Sequence, residues 1–156
     1  MKLRIINIVL FAVLGGCTSI SPQTEQVADD LTIHTGTSFG MCVGYCVSDY
    51  DFSGTSVTLT RKESSRVPKN PAKTCQTTIS QADWNALKAL ANVDNFNKQP
   101  ERIGCPDCAD GGAEYIELQV GDQKHRVTFE YNSTIPGFEP LVEALRAQRN
   151  AFKECN

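Results

Sequence analysis

The sequence predicts an α+β fold: an antiparallel sheet built from hairpins, with two helices packed on one face. Two pairs of alternating apolar and polar runs are each joined by a two-residue turn signal, and two later runs carry apolar residues at helical spacing. The chain of 156 residues is one domain in length, and its 40% of hydrophobic and 21% of charged residues are typical of globular proteins. This composition argues against a disordered chain, a coiled coil and a polytopic membrane protein.

The amino-terminal part of the predicted sheet is a short strand followed by a hairpin. Residues 31–36 alternate apolar and polar side chains, so they predict a strand with one apolar face. Residues 46–52 and 55–61 flank Ser53-Gly54, which predicts a hairpin with a two-residue loop. The opposed pairs that follow from this loop are Tyr50 with Val57 and Phe52 with Thr55.

A second hairpin is predicted around Gly121-Asp122, a two-residue turn signal between two alternating runs. The loop sets a register in which both faces of the hairpin are consistent, because apolar residues oppose apolar ones and opposite charges meet. The expected pairs are Ile116 with Val127, Leu118 with His125, Glu114 with Phe129, Glu117 with Arg126 and Gln119 with Lys124.

Between and after the hairpins the sequence predicts a loop, a further strand and two helices. Residues 62–73 carry Pro and Asn and predict a surface loop, and residues 74–79 are a possible strand. Ser80 is the predicted cap of the first helix, with Asp83 three residues on in its first turn, and the second helix begins near Gly137. The side chains expected in the core are Trp84, Leu87, Leu90, Ala91, Phe138, Leu141, Val142, Leu145 and Phe152. Those expected to face water on the second helix are Glu143, Arg146, Arg149 and Lys153.

The first residues of the chain predict a lipoprotein signal peptide. Lys2 and Arg4 precede a run of ten apolar or neutral residues, 5–14. This run is too short to span a bilayer, which takes about 20 residues in a helix. It ends in Leu14-Gly15-Gly16-Cys17, which resembles the lipobox of bacterial lipoproteins. The resemblance implies processing just before Cys17 and lipidation of that cysteine.

The expected organisation has three parts: a signal peptide (1–16), the lipidated Cys17 with a flexible tether (17–30), and a single disulfide-stabilised α+β domain (31–156). The tether is polar and shows no apolar period. We therefore expect a protein of the cell envelope that contacts the membrane through the lipid on Cys17. The absence of Asp at position 18 resembles lipoproteins that reach the periplasmic side of the outer membrane in bacteria with two membranes.

Net charge argues against nucleic acid as a partner. The full chain carries a formal charge of -3, and without Lys2 and Arg4 it has 13 basic against 18 acidic residues. The sequence has no basic stripe that could neutralise phosphates.

Six cysteines follow Cys17, and an even number in an exported chain favours disulfides. They are Cys42, Cys46, Cys75, Cys105, Cys108 and Cys155. The pairing that we favour joins Cys42 with Cys46, Cys105 with Cys108, and Cys75 with Cys155. Crossed pairs that join Cys42 or Cys46 to Cys105 or Cys108 are an alternative, because each local pair immediately precedes a predicted strand.

Redox chemistry and metal binding are alternative uses of these cysteines. Cys105-Pro106-Asp107-Cys108 has the spacing of redox proteins, but it precedes a strand and no βαβ pattern surrounds it. The four cysteines of the two local pairs could instead supply thiolates to a tetrahedral zinc ion. Exported thiols tend to oxidise before they bind metal, so we predict no metal site.

The sequence predicts no catalytic residue and no cofactor. Asp107, Asp110 and Glu114 surround a Gly-Gly pair, but their spacing differs from that of a calcium-binding EF-hand loop, so a solvated turn is expected. We expect His34 to be exposed on the polar face of its strand and His125 to be partly buried. Neither histidine has a neighbouring Ser or Cys in an arrangement typical of a catalytic triad.

Two cysteine-containing segments carry a resemblance to a known family. They are Phe39-Gly40-Met41-Cys42-Val43-Gly44-Tyr45-Cys46 and Gly104-Cys105-Pro106-Asp107-Cys108-Ala109-Asp110-Gly111-Gly112-Ala113-Glu114. Together with the strand 127–131 and the closing helix, they resemble the signatures of a family of small exported bacterial proteins, many with lipoprotein leaders and without a characterised function. The resemblance covers residues 31–149 and implies no reaction.

Three functions are compatible with these observations. The first is a lipid-anchored, non-catalytic domain that binds an envelope protein or ligand or has a structural role. The second is thiol-redox or metal-handling chemistry that uses Cys105 and Cys108. The third is inhibition of a secreted hydrolase, for which no inserting loop stands out in the sequence.

Overall fold

The computed structural model describes residues 30–154. The predicted signal peptide, Cys17 and nearly all of the tether lie outside the described residues, and so does Cys155. No helix within residues 30–154 is both long enough and apolar enough to cross a membrane.

Residues 30–154 form a mixed α+β fold, with a sheet of seven strands in the order β4-β3-β2-β1-β6-β7-β5. The strands are β1 (Leu31–Ser38), β2 (Val47–Ser53), β3 (Ser56–Lys62), β4 (Lys73–Thr78), β5 (Arg102–Ile103), β6 (Ala113–Val120) and β7 (Gln123–Glu130). All neighbouring strands are antiparallel except β5 and β7, which are parallel. The prediction of a purely antiparallel sheet is therefore wrong at this one edge.

The parallel pair results from the loop of residues 104–112, which joins β5 to β6 and crosses the end of β7. The backbone N–H of Cys105 donates to Oε1 of Glu130 (3.0 Å), and the N–H of Tyr131 donates to the carbonyl oxygen of Gly112 (3.3 Å). Because the chain reverses direction in this loop and again in the β6–β7 turn, β5 and β7 run the same way. A strand of two residues has no alternating pattern, so the sequence did not indicate it.

The registers of the two hairpins differ in how well the sequence predicted them. All five pairs expected for β6 and β7 are formed, around the turn at Gly121-Asp122. In the β2–β3 hairpin the predicted pairs are wrong by two positions, because Tyr50 lies opposite Leu59 and Phe52 opposite Val57. The turn there is Gly54-Thr55, with Gly54 in the left-handed conformation (φ 58°) that its first position favours. A shift of two residues keeps every side chain on its expected face.

Residues 30–154 form three α-helices: α1 (Gln81–Leu90), α2 (Val93–Phe96) and α3 (Glu139–Ala151). The side chain of Ser80 caps α1 by accepting a hydrogen bond from the N–H of Asp83 (3.0 Å), as predicted. The sequence did not predict α2, a single turn capped by Asn92. Helices α1 and α3 contact each other.

One cluster of buried side chains forms the core. It combines residues of α1 and α3 with residues that alternate along the strands. Its fully buried members include Ile33, Phe52, Leu59, Leu87, Phe96, Ile116, Leu118, Phe129, Ile135, Leu141 and Leu145. The opposite face of the sheet carries polar side chains of β1, β2, β3, β6 and β7. The pairs on that face are His34 with Asp51, Tyr115 and Lys62 with Asp49, and Arg126 with Glu117.

Candidate functional site

Cysteine-containing loops and exposed apolar side chains gather at one end of the sheet. Strands β1, β3 and β7 run in the same direction, so the segments that follow them leave the sheet at the same end. We call this end the disulfide end and define it by residues 39–46, 63–72, 104–112 and 131–134. Leu31, where the chain enters β1, lies at the opposite end of the sheet, beside Val120.

Two disulfides cross-link the disulfide end. Cys42 is bonded to Cys46, with their Cα atoms 5.7 Å apart, and Cys105 is bonded to Cys108, with a Cα–Cα distance of 5.5 Å. These are the two local pairs that the sequence favours, and neither crossed pair forms. Since all four sulfur atoms are in disulfides, they do not form the alternative four-thiolate site here.

Cys75, on the edge strand β4, is also disulfide-bonded. Its sulfur lies 3.9 Å from the carbonyl oxygen of Glu154. The predicted partner, Cys155, lies outside the described residues.

The two segments that carry the family resemblance lie against each other. The N–H of Gly40 donates to Oδ1 of Asp107 (3.3 Å), and the ring of Phe39 covers Gly112. A Cβ atom at Gly112 would lie 2.4 Å from this ring, and the residue has a φ of 81°, so only glycine fits there. Phe39 also packs edge-on against Tyr131, with ring centroids 4.9 Å apart. The first disulfide loop is therefore fixed relative to the second.

The loop around Cys105 and Cys108 differs from the surroundings of a redox motif. Cys108 begins a single 3₁₀ turn that ends at Asp110, and no α-helix of residues 30–154 starts at Cys105. Redox cysteines are usually activated at a helix N-terminus, which lowers the pKa of the thiol. Asp107, Ala109 and Asp110 all have positive φ, so the turn is tightly bent as well as cross-linked.

The loops 39–46 and 63–72 are tied together by side chains. The hydroxyl of Tyr45 donates to the carbonyl oxygen of Pro71 (3.0 Å). The second loop is closed by Glu63, which accepts hydrogen bonds from the N–H of Lys69 (2.7 Å) and the side chain of Asn70 (2.6 Å). These hydrogen bonds restrict the conformational freedom of both loops.

Four large hydrophobic side chains are exposed among the described residues, and all four lie at the disulfide end. Val43 is fully exposed, Met41 and Val67 are 79% and 80% exposed, and Tyr131 is 40% exposed. Basic residues accompany them: the stretch from β3 through the loop to β4 carries Arg61, Lys62, Arg66, Lys69 and Lys73 against the single acid Glu63. Scattered apolar side chains on a surface need no explanation, but their concentration at one end is typical of an interaction site.

A buried charge cluster lies beneath this surface. Glu114 on β6 is 2% exposed and accepts hydrogen bonds from Arg146 (Nη2, 2.7 Å) and Arg149 (Nη2, 2.5 Å), both on α3. Arg146 also donates to the carbonyl oxygen of Ser133, and Nη1 of Arg149 donates to the hydroxyl of Thr35 (3.2 Å). Burial by itself would raise the pKa of Glu114, but the hydrogen bonds from the two guanidinium groups outweigh it and hold the pKa below its ordinary value.

Two predictions about these residues are wrong. Arg149 does not face water, since it is 8% exposed, and Glu114 belongs to the buried cluster rather than to a solvated turn. The sequence did hold a signal, because the predicted register placed Glu114 opposite Phe129 on the apolar face. A carboxylate at such a position requires a buried cation as partner.

An open cavity of about 260 Å³ adjoins the charge cluster. Its lining residues are Thr37, Phe39, Ser48, Tyr50, Tyr131, Asn132, Arg146, Arg149, Asn150 and Lys153. Three of them are cations and none is an acid, whereas the chain as a whole is negative. Phe39, Tyr131 and Asn132 connect the cavity to the disulfide end.

The two histidines do not belong to this site. His34 is half-buried rather than exposed, and the hydrogen bond with Asp51 raises its pKa above the ordinary value. His125 is also half-buried, and its Nε2 lies 2.9 Å from the carbonyl oxygen of Gln99. Within residues 30–154, no three His, Cys, Asp or Glu side chains are grouped so as to hold a metal ion.

Comparisons with known proteins do not assign the chain to a family. No protein-family model matches it, and no curated protein is significantly similar.

Proposed function

We propose that the protein is a lipid-anchored protein of the bacterial envelope whose domain binds another envelope protein or ligand through the disulfide end. The observation that carries this proposal is the gathering of every exposed large hydrophobic side chain of the described residues at that end. In this proposal the protein has no catalytic activity, and the two disulfides stabilise a binding surface.

The leader and tether supply the anchoring part of the proposal. The charged start, the apolar run and the lipobox-like ending at Cys17 favour lipidation of that residue. Two or more acyl chains hold a protein stably in a membrane. The resemblance of the two cysteine-containing segments to small exported proteins, many with lipoprotein leaders, supports export, and the absence of Asp at position 18 favours the periplasmic side of the outer membrane.

The position of Leu31 supports binding away from the membrane. A tether that enters at Leu31 holds the opposite end of the sheet, and the eight residues of β1 span about 26 Å at about 3.3 Å per residue. The exposed apolar side chains would then face away from the anchor, where they can meet a partner rather than the bilayer.

We also infer that α1 and α3 cover the same apolar face of the sheet. Trp84 and Leu87 of α1 share one core cluster with Leu141 and Leu145 of α3, which supports this arrangement.

Site-specific photo-crosslinking in cells tests the binding surface. A photoreactive amino acid at Val43 or Val67 should give one discrete adduct in the envelope fraction, whereas the same amino acid at Ser53 or Asp122, at the opposite end of the sheet, should give none. Equal adducts from both ends, or no adduct from the disulfide end, would overturn the proposal.

The chain with Cys17→Ala serves both as a test of anchoring and as a soluble competitor. It should appear in the soluble fraction with its fold intact, and retention in the membrane would contradict lipidation. Added in excess, it should suppress the adduct from Val43. A second competitor carries three further substitutions, Met41→Ser, Val43→Ser and Val67→Ser. It should fold but should not suppress the adduct, because these exposed side chains contribute to binding and not to the core.

A further inference from the structure

We infer that the cavity beside Arg146 and Arg149 binds the carboxylate of an organic molecule or of a partner protein. This inference rests on the proposed function, because it names the chemical group that the binding surface receives. The argument uses the charge, the fixed geometry and the aromatic lining of the cavity.

The charge balance of the cluster leaves a cation without a counterion. Glu114 carries one negative charge and contacts two guanidinium groups, and Lys153 adds a third cation at the cavity. One carboxylate needs only one cation, so a purely structural ion pair does not account for the second arginine. An uncompensated charge next to a largely buried site is costly unless an anion or water completes its surroundings.

The guanidinium groups are already oriented for an incoming anion. The bonds to Glu114 and Ser133 involve Nε and Nη2 of Arg146, and its Nη1 group takes no part in them. The guanidinium group of Arg149 is fixed by its hydrogen bonds to Glu114 and Thr35, and its side chain is 9% exposed. Arginine presents its N–H groups as a planar fork that matches a carboxylate, and groups fixed in advance lose little entropy on binding.

The remaining lining favours a carboxylate on a carbon skeleton over an inorganic anion. Phe39, Tyr50 and Tyr131 place aromatic rings in the cavity wall, and Asn132 and Asn150 supply amide groups. A cavity of about 260 Å³ holds more than a single small ion. An aromatic or aliphatic group next to the carboxylate can therefore pack against the rings while its oxygen atoms meet the cations.

Binding of simple probes tests the chemistry. In an NMR titration of the lipid-free chain, benzoate should shift the Nε–Hε resonance of Arg146 and the amide resonances of Tyr131 and Asn132. Benzamide has the same shape without the charge and should bind at least tenfold more weakly, as should inorganic phosphate. Equal effects of benzoate and benzamide, or no shift with benzoate, would overturn the inference.

A matched pair of variants separates the cavity from general charge effects. Lys153→Gln should weaken benzoate binding about fivefold, because it removes one cation from the cavity without touching the bonds to Glu114. Lys124→Gln removes the same charge from the opposite end of β7 and should leave benzoate binding unchanged. Equal losses in the two variants would indicate nonspecific attraction and would contradict the inference.

Competition identifies the source of the carboxylate. If benzoate suppresses the photo-adduct at Val43, the carboxylate belongs to the partner protein, as an acidic side chain or a chain terminus. If benzoate binds and the adduct persists, the carboxylate belongs to a separate small molecule. An adduct with no benzoate binding leaves the proposed function standing and overturns the cavity inference alone. Benzoate binding without any adduct overturns the proposed function and leaves the cavity inference standing.

Discussion

At the scale of single residues, Glu114 links the core to the candidate site. It occupies an inward position of β6, on the same face as Ile116 and Leu118, yet its carboxylate is bound by two arginines. Replacing one member of a buried ion pair leaves the other uncompensated, which costs more than the pair itself contributes. The stability of the domain should therefore depend on the ionisation of this one carboxyl group.

Glu114→Gln should lower the free energy of unfolding by about 3 kcal/mol, because it leaves Arg146 and Arg149 without a counterion. Denaturant unfolding monitored by circular dichroism measures this loss. Glu143→Gln, at an exposed position of α3, the helix that carries both arginines, serves as the control and should change stability little.

The same residue predicts a dependence on pH. Because the pKa of Glu114 is lower in the folded than in the unfolded chain, its stabilisation is present above the unfolded value of about 4.3 and is lost as pH falls through the folded value. Unfolding curves over this acidic range should show a steeper loss of stability for the natural chain than for Glu114→Gln. Parallel pH profiles would contradict the assignment.

At the scale of elements, the sequence predicts correctly those segments whose local signals are compatible with only one structure and one register. The β6–β7 hairpin was predicted residue by residue, because Gly121-Asp122 fits only one loop and both faces agree with it. The register of the β2–β3 hairpin was not predicted correctly, because Gly54 can be the second residue of a Ser53-Gly54 turn or the first residue of a Gly54-Thr55 turn. Both turns keep every side chain on the same face of the sheet. Helix α2 and strand β5 are too short to show a period.

The candidate site depends on contacts that are distant in sequence. Arg146 and Arg149 lie on a helix whose apolar face is evident in the sequence. Because both side chains are charged, the sequence predicts that they face water. Their burial follows from Glu114, more than thirty residues earlier, and Phe39 approaches Gly112 only when β1 pairs with β6. Local patterns carry no information on such pairs.

The cap of α1 allows a direct test at this scale. Ser80→Ala should destabilise the domain by about 1 kcal/mol, because the N–H of Asp83 loses its acceptor. Ser80→Thr keeps a hydroxyl at the same position and should retain most of the stability. Chemical denaturation of both variants gives the comparison, and equal losses would assign the effect to packing instead of capping.

At the scale of the whole molecule, covalent links supplement the hydrophobic core. The described disulfides close short loops at one end of the sheet, whereas Cys75 lies on the edge strand β4, close to the backbone that follows α3. A bond from Cys75 to the end of the chain would join the edge of the sheet to the last helix and close a long loop.

We expect Cys75 to be bonded to Cys155. Mass spectrometry of peptides from the unreduced protein should find these two cysteines in one linked fragment, and replacement of both by Ser should lower the free energy of unfolding by about 2–4 kcal/mol. A fragment that links Cys75 to any other cysteine would contradict the pairing. Variants that replace Cys42 and Cys46 should lose less, because their loop is short.

The place of β1 in the sheet determines when the domain can fold. This strand is the first among residues 30–154, yet it lies between β2 and β6, and Leu31 pairs with Val120. Until β6 has been delivered, one edge of β1 has no partner and the central part of the core cannot close. In a chain that emerges amino terminus first, β1 therefore stays unpaired on this edge while residues 39–112 follow it.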